Sequence, residues 1–317
     1  MVVDVHTHMF SERLCPQYWI DVMATYGAQV SGKTPDHVLQ RMKDTWFDES
    51  GDLLVEDMDR AGIDKSVVFC LDFGLYSGVD DSTNLVQRHT IFARAVSRHS
   101  DRLILFGGVD PRRPDAAAFI ERAVNEWGIK GIKLWPPAGF YPDRPYCYRL
   151  YEACARLGLP IVIHTGLEIS PFQGQTTLPT YVDQPACDFP EVTFILAHAG
   201  MAWWREAAEI SFHRDNVYLD TAYWQGRSLR LGPARYMQEF RTLLSSAGHG
   251  KVLFGSDWPT LRTVRKVKPD VWMEIVRNYP RAVQDGVQFS EEEIAGYLGG
   301  NAGRVLKLEG VPVAQAS

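Results

Sequence analysis

The sequence predicts a single α/β domain folded as a (β/α)8 TIM barrel, and three observations predict it. Eight short apolar runs recur along the 317 residues. Most are continuous Val/Ile/Leu/Phe rather than alternating, which implies strands buried on both faces, as in a parallel sheet. Amphipathic helical stretches separate them, so strand and helix alternate as in repeated parallel β/α units.

The predicted strands are 2–6 (VVDVH), 66–71 (SVVFCL), 103–110 (LILFGGVD), 129–135 (IKGIKLW), 160–166 (PIVIHTG), 192–200 (VTFILAHAG), 216–220 (NVYLD) and 251–257 (KVLFGSD). In the first, Val2, Val3 and Val5 are β-branched strand formers. Ahead of strand two, 52–64 places Leu53, Leu54, Met58 and Ala61 on one side and reaches Gly62. Residues 82–99 begin at a Ser or Thr cap and end in basic residues, the polarity a helix prefers. Residues 113–128 carry Pro114 near the start and Gly128 past the end, and 147–158 stops at Gly158. Two segments exceed ordinary loops. Residues 9–51, after strand one, hold Trp19, Tyr26, Trp46 and Phe47 and are expected to be folded. Residues 166–190, after strand five, hold Pro171, Pro179, Pro185 and Pro190. Both are expected to act as lids on the C-terminal face, where barrel active sites lie. One domain spans 1–309, with 310–317 expected to be a flexible tail.

Composition narrows the function classes. Hydrophobic residues make up 45% and charged residues 23%, as in ordinary globular proteins. The net charge of -6 and the lack of a dense Lys/Arg run argue against a nucleic-acid partner. No apolar stretch is long enough to span a bilayer, and the start does not read as a signal peptide. Cys15, Cys70, Cys147, Cys154 and Cys187 are scattered, with no C-x-x-C pair. Neither a thiolate zinc site nor a disulfide framework is supported. The expectation is a reduced, cytoplasmic protein with a small-molecule substrate, no nucleic acid and no membrane; a homodimer is compatible with this.

A barrel delivers the end of every strand to one mouth. His6 and His8 leave the first strand in the same direction, because residues i and i+2 share a face. The fourth strand adds Lys133, the fifth His164, the sixth His198 and the eighth Asp257. Four of the nine histidines thus end predicted strands. His37, His89, His99, His213 and His249 fall in helices or loops and read as surface or packing residues. Imidazole and carboxylate donors suit a divalent metal ion, zinc first, with manganese, iron and nickel open. The predicted metal set is His6, His8, His164 and Asp257, which leaves a position for water that the ion acidifies. Asp257 and His198 are the predicted catalytic residues. Asp257 would bind through one oxygen and take a proton from water through the other. His198 would be a base behind the ligands, a substrate donor, or a ligand to a second ion.

The motifs H-x-H, G-I-K-L, I-H-T-G, L-A-H-A-G and G-S-D-W-P, in this order, resemble the amidohydrolase superfamily. More narrowly, they resemble the amidohydrolase-related branch that contains aminocarboxymuconate-semialdehyde decarboxylase and related aromatic-acid decarboxylases. The closing GGNAGRVLKL (299–308) resembles that branch's terminal helix, with Asn301 as N-cap. The resemblance spans almost the whole chain. It implies a metal-centred barrel, with His6, His8, His164 and Asp257 at the ligand positions. His198 matches the histidine that helps activate water or contacts substrate. Two reaction types are implied. Hydrolases cleave amides, esters or lactones with metal-bound hydroxide, and decarboxylases bind a carboxylated substrate and stabilise charge as carbon dioxide leaves. The sequence departs from the decarboxylase pattern where MFSERL follows H-T-H in place of an apolar-Pro stretch. The first reading is therefore a metal-dependent hydrolase of a small carboxylated or aromatic substrate. The alternative is a metal-dependent, non-oxidative decarboxylase of an aromatic or muconate-like acid. Lys133 matches a lysine that some superfamily members carboxylate to bridge two ions. A plain ammonium, salt-bridged or holding a substrate anion, is the favoured alternative.

Three further groups lie near the mouth. Asp72, Asp110 and Asp220, at strand ends two, three and seven, are expected to cap loops. Trp135 and Trp258 directly follow Lys133 and Asp257, and these two with Lys133 are the predicted substrate-binding residues. Arg13, Arg144 and Arg227 are loop candidates for gripping a substrate carboxylate.

Overall fold

The computed structural model describes residues 1–73, 75, 76, 82–260, 269–278, 281 and 286–308. The predicted tail at 310–317 lies outside the described residues, as do the side chains of Ser82 and Thr83, the expected helix cap. Among the described residues there are eight strands: β1 (Val3–His8), β2 (Lys65–Phe69), β3 (Leu103–Gly108), β4 (Ile132–Leu134), β5 (Ile161–Ile163), β6 (Phe194–Leu196), β7 (Val217–Asp220) and β8 (Val252–Leu253). Each pairs in parallel with the next, in sequence order. Every residue of β1, β4, β5 and β6 is buried, which is why these runs are unbroken by exposed polar positions.

The first and last strands meet at a seam. Val5 N–H donates to Phe254 O at 3.0 Å, Asp257 N–H to His6 O at 2.8 Å, and His8 N–H to Trp258 O at 2.7 Å. Asp4 fastens the same place: its Oδ1 accepts from the backbone N–H groups of His6 at 3.1 Å and Ser256 at 3.0 Å. The ladders are shorter than the predicted runs. His164, His198 and Asp257 lie just past the last residues of β5, β6 and β8, on the turns that open the βα loops.

The segment 9–51 folds into two helices, α1 (Gln17–Ser31) and α2 (Pro35–Thr45). Thr34 caps α2 by accepting the His37 N–H at 3.2 Å, with Pro35 in the first turn. The expected connectors follow as α3 (Asp52–Ala61), α4 (Ser82–Arg98), α5 (Ala116–Trp127) and α6 (Pro145–Leu157). Gly128 and Gly158 end α5 and α6 at φ 65°, the left-handed conformation that a side chain disfavours. The second long loop, 166–190, carries short turns and one helix, Asp183–Asp188.

Asn301 does not cap the terminal helix. Its backbone is helical, at φ -64° and ψ -45°, because a π-turn over Gly296–Gly300 runs straight into it. Its Nδ2 instead donates to His249 O at 2.8 Å and Val252 O at 2.9 Å, tying the C-terminal segment to the start of β8. The capping box lies upstream, where Ser290 Oγ accepts the Glu293 N–H and the Glu293 carboxylate accepts the Ser290 N–H. No helix among the described residues is long and apolar enough to cross a membrane.

Candidate metal centre

The short strands bring five chain-distant side chains to one end of the barrel. His6, His8, His164, His198 and Asp257 are all buried there. His6 Nε2 lies 3.4 Å and His8 Nε2 3.2 Å from the same Asp257 oxygen, Oδ1. These three residues form one group of donors close enough to share an ion, and His6, His198 and Asp220 form a second. His164 joins through His198: its Nδ1 faces His198 Nε2 at 3.2 Å. The predicted quartet therefore meets at one mouth, with His6, His8 and Asp257 tight and His164 one contact away.

Asp220 holds a second position in this centre that sequence reasoning underrated. One of its oxygens, Oδ1, does cap a loop, accepting the N–H groups of His198 and Ala222 at 2.9 Å each. The other, Oδ2, lies 2.9 Å from His6 Nδ1. A carboxylate on Nδ1 fixes the tautomer that leaves Nε2 as a lone-pair donor. The available signal was its place at the end of β7, the same rule that found the histidines. Asp72 and Asp110 do cap loops: Asp72 pairs with Arg113 at 2.7 Å and Asp110 with Arg112 at 2.6 Å.

The backbone departs from ordinary geometry at these side chains. His198, Ala199, Gly200 and Met201 form a run of positive φ directly after β6. Asp257 follows suit at φ 60° and Tyr223 at 67°. Left-handed non-glycine residues cost about 1–3 kcal/mol each and persist where the surroundings over-determine them. At Asp257 the turn reverses the side-chain sense expected of an extended chain. That explains the placement of Trp258, whose indole Nε1 donates to Asp57 Oδ2 at 2.8 Å, against α3. Trp258 does not line the cavity at the mouth, contrary to its expected substrate role.

Burial sets the charge state of the centre. It pushes the imidazoles of His6 and His164 well below their ordinary value, helped by the neighbouring Lys133 or His198 charge. His198 is lowered by burial too. Burial pulls the Asp257 carboxyl up, yet the hydrogen bond from His8 and the nearby imidazoles hold it at about 2. Neutral imidazoles beside an ionised carboxylate are the protonation states that ligands require. Lys133 Nζ sits 3.4 Å from His6 Nε2 and 4.6 Å over the Phe69 ring, and burial drives its ammonium down to about 8.

A divalent cation fits these residues. His164 Nε2 is buried without a hydrogen-bond partner, an arrangement expensive for a polar atom unless something else engages it. Convergent imidazole nitrogens and one carboxylate oxygen are a suitable donor set.

A cavity of about 160 Å³ opens onto the centre. Lys133 and Trp135 from the end of β4 line it, with Tyr223 and Thr260 from later loops. The roof is α1, which turns Trp19, Met23 and Tyr26 inward at spacings of one helical turn. Phe10 packs on Trp19 with ring centroids 4.7 Å apart, and Trp19, Phe73 and Trp135 continue the aromatic wall at 5.3 and 5.4 Å. The post-β5 loop adds Leu167, Glu168 and Ile169. Glu168 and the α1 residues other than Trp19 and Tyr26 were not singled out in the sequence, because nothing in a loop's composition tells which side chain turns inward. The candidate arginines do not line the cavity. Arg13 pairs with Glu49 at 2.7 Å, Arg144 with Asp143 at 3.5 Å and Arg227 with Glu239 at 2.6 Å.

Comparison with known proteins places this geometry in context. The family model described as Amidohydrolase matches residues 3–308. No curated protein matches significantly. An uncharacterised TIM-barrel protein from Bordetella bronchiseptica is similar at 20% identity and TM-score 0.68, over 97% of this chain and 98% of that one. A 5-carboxyvanillate decarboxylase from Novosphingobium aromaticivorans DSM 12444, solved with manganese and 4-hydroxy-3-methoxy-5-nitrobenzoic acid, matches at 16% identity and TM-score 0.66, over 97% and 96%. A 2,6-dihydroxybenzoate decarboxylase from Rhizobium matches at 16% identity and TM-score 0.65, over 98% and 99%. At such identities the likeness establishes the fold, and each relative's chemistry remains its own.

Proposed function

The chain belongs to the amidohydrolase family, and on that premise we propose that it is a metal-dependent, non-oxidative decarboxylase of an aromatic carboxylic acid. The observation that carries this reading is the cavity: Phe10, Trp19 and Trp135 line it together with Lys133 and the candidate metal donors His8, His164 and Asp257. Flat apolar walls suit an aromatic ring, and the charged floor suits its carboxylate. Similarly folded proteins described as decarboxylases of 5-carboxyvanillate and 2,6-dihydroxybenzoate support it. Decarboxylation thereby takes precedence over the hydrolysis favoured from sequence alone.

His6, His8, Asp257 and His164 would hold the ion. When bound, a divalent ion supplies positive charge that anchors the carboxylate and offsets the negative charge left on the ring. The protein's own groups do the rest. Lys133 Nζ attracts the carboxylate, and the aromatic wall orients the ring while the α1 roof limits water. The bond from ring carbon to carboxylate carbon breaks, carbon dioxide leaves, and a proton takes its place. His198 is the carrier we assign to that proton. Its Nδ1–H donates to Ala222 O at 3.1 Å, so Nε2, which faces His164 Nδ1 at 3.2 Å, is the atom that would take a proton from water and pass it to the ring carbon. Asp257, held at about 2, stays ionised as a ligand.

The test is carbon dioxide release from a panel of hydroxylated and carboxylated aromatic acids, run beside a panel of lactones, esters and amides. Release is expected from at least one aromatic acid, and His8→Ala or Asp257→Ala should lower it by at least about a thousandfold while the barrel stays folded. Lactone or amide cleavage without any carbon dioxide release would sink the reading in favour of hydrolysis. Elemental analysis of the purified protein separates zinc, suited to an imidazole-rich set, from manganese, which a similarly folded decarboxylase binds.

A further inference from the structure

The loop after β5 carries an acid that this reaction leaves unused. The Glu168 side chain lines the cavity and is 24% exposed. Its Oε2 accepts the backbone N–H of Ile169 at 3.0 Å, which fixes the plane of the carboxylate. Its Oε1 lies 3.7 Å from His164 Nε2, beyond hydrogen-bond reach, and accepts no hydrogen bond from another described residue. The acid thus stands on the cavity wall beside the proposed ligand set, with Oε1 accepting no hydrogen bond among the described residues. A half-buried carboxylate oxygen is costly until a donor reaches it. Burial pushes the Glu168 carboxyl up to about 7; ionised above that value, it only accepts hydrogen bonds, so it welcomes a hydroxyl or amino group and repels another carboxylate.

We infer that Glu168 is a specificity-determining residue: its Oε1 accepts a hydrogen bond from a hydroxyl or amino group on the substrate ring, and it disfavours an ether or a second carboxylate at that edge. This rests on the aromatic-acid reading of the cavity, since the ring between the aromatic walls is what carries the donor to Glu168. The donor is chosen by position as well as by type. With the acid group of the ring on the donor set, the ring's substituents near His164 are those that Glu168 meets.

The test is calorimetric binding to the metal-loaded protein at pH 7.5, where Glu168 is mostly ionised, with hydroxybenzoates, aminobenzoates, their methylated counterparts and benzene dicarboxylates as probes. Wild type is expected to bind at least one hydroxy or amino acid about tenfold or more tighter than its methylated counterpart, the worth of a hydrogen bond to a charged group. Glu168→Leu should shrink that ratio to about twofold or less, and Glu168→Gln should raise affinity for the dicarboxylates. A ratio that survives in Glu168→Leu overturns the inference. So does wild type that binds none of the probes or does not discriminate among them. Should Glu168→Leu fail to fold, unchanged dicarboxylate affinity in Glu168→Gln overturns it equally. Binding is read without turnover. A Glu168-dependent preference with no carbon dioxide release leaves this inference standing and sinks the decarboxylase; release without any preference does the reverse.

Discussion

Asp220 decides where the lone pair of His6 points. Its Oδ2 engages Nδ1 at 2.9 Å, so Nε2 faces Asp257. Partners of this kind are worth about 10–100-fold in metal affinity. Asp220→Asn should therefore weaken metal binding by that factor in a competitive chelator titration, with an unchanged circular dichroism spectrum. Equal affinity in the two proteins would mean that Asp220 serves only the loop it caps. At this scale the sequence was informative where a residue's position along a strand fixed its direction. His6 and His8 both reach Asp257 Oδ1 from β1, as alternation along a strand anticipates, although the register of β1 shifts between Asp4 and Thr7. It was uninformative where the backbone leaves the extended region. Trp258 follows Asp257 in sequence yet bonds to Asp57, because Asp257 sits at φ 60°. No composition rule anticipates a left-handed aspartate, which is stabilised by its surroundings.

The helix α1 is the element on which substrate recognition turns. It presents Trp19, Met23 and Tyr26 to the cavity and packs Trp19 between Phe10 and Phe73. Trp19→Leu should lower affinity for aromatic acids by about tenfold, since an aromatic partner is worth roughly 0.5–1.5 kcal/mol beyond the area it buries. Metal content should be unchanged, because the proposed ligands sit at the ends of β1, β5 and β8 and none is on α1. Loss of bound metal in this variant would show that the roof supports the centre rather than the ligand. The eight strands and the connecting helices were legible because continuous apolar runs and amphipathic stretches alternate along the chain. That α1 was a helix was not. It starts behind Pro16 without a side-chain cap, has no acidic residue in its first turn and no basic one in its last. Its stability comes from the face it buries, Trp19, Ile20, Ala24, Gly27 and Ala28, a tertiary cause, and its clearest local signal is the stop at Gly32, left-handed at φ 67°.

The stability of the whole molecule carries an acid limit away from the centre. His89 on α4 is buried, with Nδ1 at 2.9 Å from Leu85 O and Nε2 accepting the Gly108 N–H at 3.2 Å. Burial lowers its pKa from 6.5 to about 4. Between those values the unfolded chain binds a proton that the folded one refuses, so the stabilisation is complete above 6.5 and is lost as pH falls toward 4. At pH 5 the loss is about 2 kcal/mol. Urea unfolding at pH 7.5 and pH 5 should show a fall in wild type larger by that amount than in His89→Gln. Equal falls would remove His89 from the account.

The seam between β1 and β8 has a temporal meaning as well. His8 and Asp257 meet across 249 positions of chain, and the backbone bonds that shut the sheet run through the very residues proposed to hold the cation. A nascent chain extruded as far as β7 owns three of the four proposed donors and lacks Asp257. Capture of the ion by that set is expected only once the last strand zips onto the first, and a chelating dye competing for metal would report, in a refolding trace, the instant at which the ring of strands becomes complete.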